Sequence, residues 1–265
     1  MHEASIISAG MFKKSGIESI EIPESVVEIK EYAFENAKCL RKVIVPDSVK
    51  KIGERAFSSC SGIGAVRLPK DLTVLENGLF EHCTGLTSFD FPSRTSEIGN
   101  GVFEGCESLK SLVIPGLVTE IGRRAFKGCS SLEVVELPPK ITSIRYATFR
   151  DCVALRSIVI PNSVKEIEAS AFDDCESMER PELPASVKLD ETAFHGCFKG
   201  GDGRKHRESD KTAELNEWEK KRIENDREME KSEASGISVG LRAPDSGVKR
   251  CEHGARSAEC LQRAV

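Results

Sequence analysis

Apolar and polar residues alternate along the chain in a pattern that returns every 23 residues from about residue 6 to residue 197. Proline and phenylalanine mark this period most clearly, because each keeps its place in successive copies. The prolines are Pro23, Pro46, Pro69, Pro92, Pro115, Pro138, Pro161 and Pro184, and the phenylalanines are Phe34, Phe57, Phe80, Phe103, Phe126, Phe149 and Phe172. Phe12 and Phe194 lie one residue out of step at the two ends. A fixed period of this length predicts a solenoid whose repeats pack only on their neighbours.

Each repeat predicts a strand, a return segment and a turn. The stretches "KVIV", "EVVEL" and "RSIVI" alternate with a period of two and are rich in β-branched residues, which favours short strands. The following proline ends each strand, since it has no N–H to donate. We expect the return segment to direct Val49 and Ile52, or Val164 and Ile167, into the core. "RAFSSC" and "SAFDDC" then predict a turn or a short helical piece that carries Phe and Cys inward.

These residues resemble the BspA-like class of leucine-rich repeat proteins, whose coils share the pattern AFxxCxxLxxVxIPxSVxxI. The resemblance implies a curved right-handed solenoid with a parallel sheet on its concave side. It also implies recognition of other proteins, since relatives are commonly microbial surface proteins that adhere to host or matrix proteins. We therefore predict an α/β repeat fold over residues 1–197, with about eight 23-residue repeats that are degenerate at both ends. Turns or short helical pieces are expected on the convex side.

The chain has 10 cysteines, and most of them occupy one position of the repeat. They are Cys60, Cys83, Cys106, Cys129, Cys152, Cys175 and Cys197. Stacked coils would hold these side chains parallel and about 4.8 Å apart, whereas a disulfide needs converging Cβ atoms about 3.8 Å apart. Zinc needs four converging ligands, which a line of sulfurs does not supply. We predict buried apolar filler, with disulfides and a metal site as the alternatives.

No other motif predicts catalysis or cofactor binding. Cys251, His253 and Cys260 lack the paired spacing of a zinc site, and His82 and His195 are expected on the solvated convex side. The sequence contains no phosphate-binding loop and no HExxH helix. We therefore expect no enzymatic activity, no metal and no cofactor.

Composition narrows the choice of partner and compartment. The formal net charge of −5 is small and mixed in sign, so no nucleic-acid footprint is expected. The longest apolar run is far shorter than the roughly 20 residues of a membrane span. The start of the sequence has no signal-peptide pattern, which together with the cysteine content predicts a cytoplasmic, monomeric protein with reduced thiols. An extracellular or cell-surface location is the alternative if the N-terminus is incomplete.

The period stops after Cys197, and the remaining sequence, residues 198–265, is charged. "FKGGDGRKHRESD" is a linker by composition. Residues 208–232 lack Gly and Pro and are rich in Glu, Lys and Arg, which predicts an exposed helix, with disorder and a coiled coil as alternatives. We expect the residues that follow to be disordered.

The candidate binding surface consists of the residues between the buried positions of the predicted strands. We predict a non-enzymatic scaffold that binds a protein partner on this concave face, and a secreted or surface adhesin is the alternative. An ordinary solvated sheet face is the competing interpretation, because aromatic residues are absent from it. The candidate residues are Lys42, Ile44, Arg67, Asp90, Val113, Val134, Glu136 and Val159.

Overall fold

The structure is a computed structural model that describes residues 5–197. In this part of the chain, successive coils stack so that two short segments of each coil run parallel to their equivalents in the neighbouring coils. The predicted exposed helix over 208–232, the predicted disordered tail and the Cys251, His253 and Cys260 group lie outside the described residues.

The segment that precedes each proline forms a three-residue strand in most coils, as the alternating pattern predicts. We call the surface made by these strands the first-strand face. Its strands are β2 (Ser19–Glu21), β4 (Lys42–Ile44), β6 (Ala65–Arg67), β9 (Ser111–Val113), β11 (Val134–Glu136) and β13 (Ser157–Val159).

The return segment forms a second strand, which the sequence did not predict. The inward positions were predicted correctly: Val49, Ile52, Val164 and Ile167 are all buried. The second strands are β1 (Ser5–Ile7), β3 (Val26–Ile29), β5 (Lys51–Ile52), β7 (Val74–Leu75), β8 (Glu97–Ile98), β10 (Glu120–Ile121), β12 (Ser143–Ile144), β14 (Glu166–Ile167) and β15 (Lys188–Leu189). They pair in the orders β1-β3-β5, β7-β8-β10 and β12-β14-β15.

The first-strand face is not one continuous sheet. It consists of two three-stranded parallel sheets, β2-β4-β6 and β9-β11-β13, separated by residues 88–90, which form no strand. Phe89 stands where other coils carry Val43 or Leu112, and its ring lies edge-on against Phe103 with centroids 4.8 Å apart. Phe91 packs edge-on against Phe89 at 4.9 Å. We attribute the break to these two rings, which are too large for the spacing of the ladder.

The segment that carries Phe and Cys is a run of turns, which is one of the two predicted forms. The other form, short helical pieces, is wrong for residues 5–197, and with it the α part of the predicted α/β class. Its backbone hydrogen bonds alternate between the same coil and the next coil. Ser58 N–H donates to the Arg55 carbonyl at 3.1 Å, whereas Phe57 N–H donates to the Leu79 carbonyl of the next coil at 3.1 Å. An α-helix would direct every N–H to the residue four positions earlier.

Left-handed backbone conformations also exclude a helix from this segment. Eight successive turn segments each contain two residues with positive φ, four positions apart. The pairs are Gly10 and Lys14, Tyr32 and Asn36, Arg55 and Ser59, Gly78 and His82, Gly101 and Gly105, Arg124 and Gly128, Ala147 and Asp151, and Ser170 and Asp174.

A continuous stack of phenyl rings runs through the core. Neighbouring rings from Phe12 to Phe194 have centroids between 4.9 and 5.8 Å apart and interplanar angles between 6° and 15°. The rings from Phe34 to Phe172 have no exposed surface, whereas Phe12 and Phe194 at the ends are partly buried. Burial of one such side chain contributes roughly 1.5–3 kcal/mol, so this stack is a main source of cohesion between coils.

Candidate binding surfaces

The first-strand face presents side chains whose places are set by the strand register. Lys42 lies in one row with Ser19 and Ala65, and Ile44 lies in the next row between Glu21 and Arg67. The middle residue is buried in five of the six strands, such as Val43 in β4, and partly buried in β2, where it is Ile20. The residues on either side of it therefore point outward. This alternation confirms the outward orientation that the sequence predicts for Lys42, Ile44 and Arg67.

The register separates the valines on the second sheet of this face. Val113 and Val159 lie in the same row, and Glu136 stands between them. Val134 belongs to the other row, between Ser111 and Ser157. Val113 and Val159 are 48% and 82% exposed, whereas Val134 and Glu136 are half-buried. The three valines therefore flank a carboxylate and do not form an uninterrupted apolar stripe.

The first sheet of this face is charged at one edge. Asp47, in the turn after β4, has its carboxylate 3.7 Å from the Arg67 guanidinium and 3.9 Å from the Lys70 ammonium. It also accepts a hydrogen bond from the Lys70 backbone N–H at 3.1 Å. Exposed pairs of this kind contribute little to stability, so Arg67 remains available for contact with a partner. Asp90 is exposed in the segment that separates the two sheets.

The cysteines of the repeat form a buried ladder of free thiols. Cys60, Cys83, Cys106, Cys129, Cys152 and Cys175 have no exposed surface, and Cys197 is half-buried. Within residues 5–197 no cysteine forms a disulfide, and no cluster of three His, Cys, Asp or Glu side chains is arranged to hold a metal. The predicted role as buried filler is confirmed for these six thiols.

The thiols also form hydrogen bonds that the repeat pattern did not reveal. Cys60 Sγ donates to the Phe34 carbonyl at 3.0 Å, and Cys106 Sγ donates to the Phe80 carbonyl at 3.2 Å. The acceptor lies 26 residues earlier, in the preceding coil, so each thiol joins two coils. Burial raises the pKa of Cys60 and of Cys129 from 9.0 to about 12. These thiols stay protonated near neutral pH and are poor nucleophiles.

The turn side of the solenoid carries a polar depression of about 530 Å³. It forms where Gly78 and Gly101 occupy a position that holds Arg55 and Arg124 in other coils. The Arg55 side chain leans over Gly78, where its Nε lies 2.9 Å from Glu81 Oε2. The Glu81 carboxylate raises the pKa of Arg55. Three glutamates and three arginines line this depression, so it does not select a ligand of one charge.

The two histidines predicted on the solvated side are exposed. His195 Nδ1 lies 3.0 Å from Asp173 Oδ1, and Asp173 is 7% exposed. Arg150 Nε lies 3.5 Å from the other oxygen of the same carboxylate. Asp173 is thus held between a side chain of the preceding coil and one of the following coil, which is a structural role.

No helix within residues 5–197 is long and apolar enough to cross a membrane. The stacked coils, the parallel strands and the repeated Phe and Cys positions define a leucine-rich-repeat solenoid. The chain belongs to the BspA-type leucine-rich repeat family, whose sequence profile matches residues 5–133 and 119–200 in 6 copies. The resemblance noted in the sequence is thereby confirmed.

Solved structures of bacterial leucine-rich repeat proteins are similar to this chain. A leucine-rich repeat protein from Bacteroides ovatus is 30% identical, with a TM-score of 0.64 over 68% of this chain and 49% of that protein. The T. pallidum leucine-rich repeat protein is 30% identical, with a TM-score of 0.58 over 61% of this chain and 78% of that protein.

A third similar structure is a leucine-rich cell surface protein from Faecalibacterium prausnitzii. It is 27% identical, with a TM-score of 0.53 over 74% of this chain and 55% of that protein. This chain thus spans about half the length of the Bacteroides ovatus and Faecalibacterium prausnitzii proteins, at 49% and 55%. No curated protein matches the sequence.

Proposed function

We propose that this protein is a non-enzymatic scaffold that binds a protein partner through the first-strand face. The observation that carries the proposal is the fixed register of outward side chains on paired strands, which presents Ile44, Val113 and Val159 to solvent. Rigid strands lower the entropic cost of ordering a contact surface on binding. Leucine-rich repeat proteins in general mediate protein–protein contacts or adhesion.

Charge and apolar surface divide this face into two contact regions. Lys42, Ile44 and Arg67 lie on the first sheet, whereas Val113, Glu136 and Val159 lie on the second. Asp90 stands between the two sheets. A partner that spans the face would meet basic side chains at one end and valines at the other. We assign no reaction to these residues, because none of them belongs to a nucleophile, metal or phosphate motif.

The test is capture of a partner by variants of the full chain. Val113→Asp and Val159→Asp leave the fold intact, because both side chains point outward, and they should weaken capture through an unpaired charge in the interface. Deletion of residues 203–265 should leave capture unchanged, and circular dichroism checks that each variant folds. If the deletion alone removes the partner, the assignment to the first-strand face is wrong.

A second candidate is a cell-surface adhesin. The observation in its favour is the similarity to the Faecalibacterium prausnitzii cell surface protein. Our first proposal places the scaffold in the cytoplasm, as the sequence predicts. Fractionation of the source cells decides between them: recovery with the cytosol supports the scaffold, and recovery with the cell envelope supports the adhesin.

A further inference from the structure

The first-strand face ends in a cleft at β13. On one side of the cleft, Glu179 N–H donates to the Arg156 carbonyl at 2.7 Å. On the other side, Lys188 N–H donates to the Lys165 carbonyl at 2.8 Å. Between these two hydrogen bonds the last two coils separate, and residues 157–162 and 179–184 line a space of about 500 Å³. We propose that this cleft accepts an extended segment of a partner protein, which adds to β13 as a further strand.

Proline causes the separation. Pro181 occupies the position that holds Val135 in β11 and Ile158 in β13. The regular proline of the repeat, Pro184, lies three residues later. Proline has no N–H for a ladder hydrogen bond, and within a sheet it is confined to edges and bulges. Residues 180–182 accordingly form no strand.

The outer side of β13 offers backbone hydrogen bonds. β13 pairs with β11 on one side and with no strand on the other, within the part of the chain that the structure describes. An outer strand directs alternate N–H and C=O groups away from its sheet, and these groups are a template for another extended chain. β13 has three residues and is therefore about 10 Å long, so the added strand would be correspondingly short.

Side chains at the cleft indicate the kind of segment that fits. Val159 and Leu183 are 82% and 37% exposed, although both are large apolar residues. The exposed residues Glu179, Arg180 and Glu182 bring two carboxylates and one guanidinium to the rim. This excess of negative charge favours a basic partner. The segment we infer has alternating apolar residues and a lysine or arginine at its ends.

The inference rests on the proposed function in one respect, since its ligand is part of a protein partner. Its test uses a synthetic peptide and needs no identified partner. The two proposals can therefore fail separately. If the peptide does not bind, the cleft proposal fails and the rest of the first-strand face remains a candidate surface.

The probe is a fluorescein-labelled heptapeptide of alternating valine and threonine with a lysine at each end. Fluorescence anisotropy with the full chain should show saturable binding. Val159→Lys should weaken this binding about tenfold, because the new charge repels the basic peptide and an apolar contact is lost. Leu117→Lys is the matched control, since Leu117 is also an exposed apolar residue, at 51%, and does not line the cleft, so this variant should leave binding unchanged.

A second pair of measurements tests strand addition itself. Pro181→Val restores an N–H and a β-branched residue, so residues 180–182 can pair with β13 and close the cleft. This variant should bind the peptide at least about tenfold more weakly, with an unchanged or higher midpoint of urea unfolding. A peptide with the same side chains and N-methyl groups at alternate residues should lose binding, because it lacks donors along one edge.

Four results would overturn the proposal. They are no saturable binding to the full chain, equal weakening by Val159→Lys and Leu117→Lys, undiminished binding to a folded Pro181→Val variant, and equal binding of the N-methylated peptide. The last of these would indicate attraction by charge alone.

Discussion

Phe126 shows how one side chain connects three coils. Its ring lies 5.6 Å from that of Phe103 and 5.2 Å from that of Phe149, and it has no exposed surface. Its N–H donates to the Thr148 carbonyl of the next coil at 2.9 Å, and its carbonyl accepts from the Cys152 thiol at 3.1 Å. Phe12 has one stacked neighbour, Phe34, and is partly buried.

Replacement of Phe126 by alanine should therefore lower the free energy of unfolding by about 3–5 kcal/mol, through lost burial and the cavity that remains. Phe12→Ala, at the end of the same stack, should cost much less. Urea unfolding followed by circular dichroism measures both. Equal losses at the two positions would contradict a core built from stacked rings.

The buried thiols make stability depend on alkaline pH. Burial raises the pKa of Cys129 from 9.0 to about 12, so the folded state holds this proton more tightly than the unfolded state. The stabilisation is complete below pH 9 and declines as pH rises from 9 towards 12. Each pH unit in this window costs about 1.4 kcal/mol per thiol.

We expect the free energy of unfolding to fall steeply above about pH 9, where the thiols of the unfolded chain ionise. Cys129→Ser removes one titrating group and keeps a donor for the Phe103 carbonyl, so its stability should fall less steeply. Urea unfolding at a series of pH values compares the two proteins. Comparison of the two proteins at pH 7, where the Cys129 thiol is protonated, gives the cost of the substitution itself.

At the scale of the element, glycine sets how closely two coils approach. A Cβ on Gly122 would lie 2.4 Å from the backbone carbonyl carbon of Gly99 in the preceding coil. Gly64, just before β6, has no atom within 4 Å of the corresponding position. Both are glycines in a repeat, and only the first is enclosed by backbone.

Gly122→Ala should separate the two coils and destabilise the protein by about 1–3 kcal/mol. Gly64→Ala should be neutral or slightly stabilising, since it only restricts the unfolded chain. Thermal unfolding of the two variants provides the comparison. A harmless Gly122→Ala substitution would mean that the coils are not in close contact at that point.

The sequence predicts some elements better than others for physical reasons. Strands such as Lys42–Ile44 were predictable, because one buried residue between two outward ones gives a period of two. The two-residue second strands are too short to show any period. The break at residues 88–90 was hidden, because Phe89 keeps the apolar pattern and differs only in volume. The left-handed conformation of Tyr32 and Arg55 could not be predicted, because tyrosine and arginine rarely have positive φ.

For the candidate site, the sequence predicted which side chains point outward but not how they are arranged across neighbouring coils. The alternation of the strands identified which residues point outward, including Ile44, Val113 and Val159. It could not show that Glu136 separates the two valines, because that arrangement depends on the register between coils. The sequence shows that Pro181 occupies a strand position, but the cleft beside it depends on how two coils separate in space.

At the scale of the whole molecule, the described coils contact their sequence neighbours, and the backbone hydrogen bonds of the turn segment recur from coil to coil. Removal of residues 127–149, which is one full repeat, joins Phe126 to Arg150 and preserves the pattern on both sides. This variant should fold with cooperative unfolding and somewhat lower stability, because one interface is lost. Removal of residues 127–138 alone should disrupt folding, since it places strand residues opposite turns. Circular dichroism and thermal unfolding distinguish the two.

The alternation of hydrogen bonds in the turn segment has a consequence for how such a protein changes over generations. From Phe34 to Phe149, each Phe N–H of the stack donates to a carbonyl 22 residues ahead, as Phe57 does to Leu79. An insertion among these inner coils preserves all of these bonds when it is a whole repeat. Unequal crossing-over between similar coding units produces insertions of that size. The gene can thus lengthen or shorten by one unit while the protein remains foldable. A frame-preserving insertion of a few codons within a turn segment is selected against, even though it would be tolerated in an ordinary surface loop.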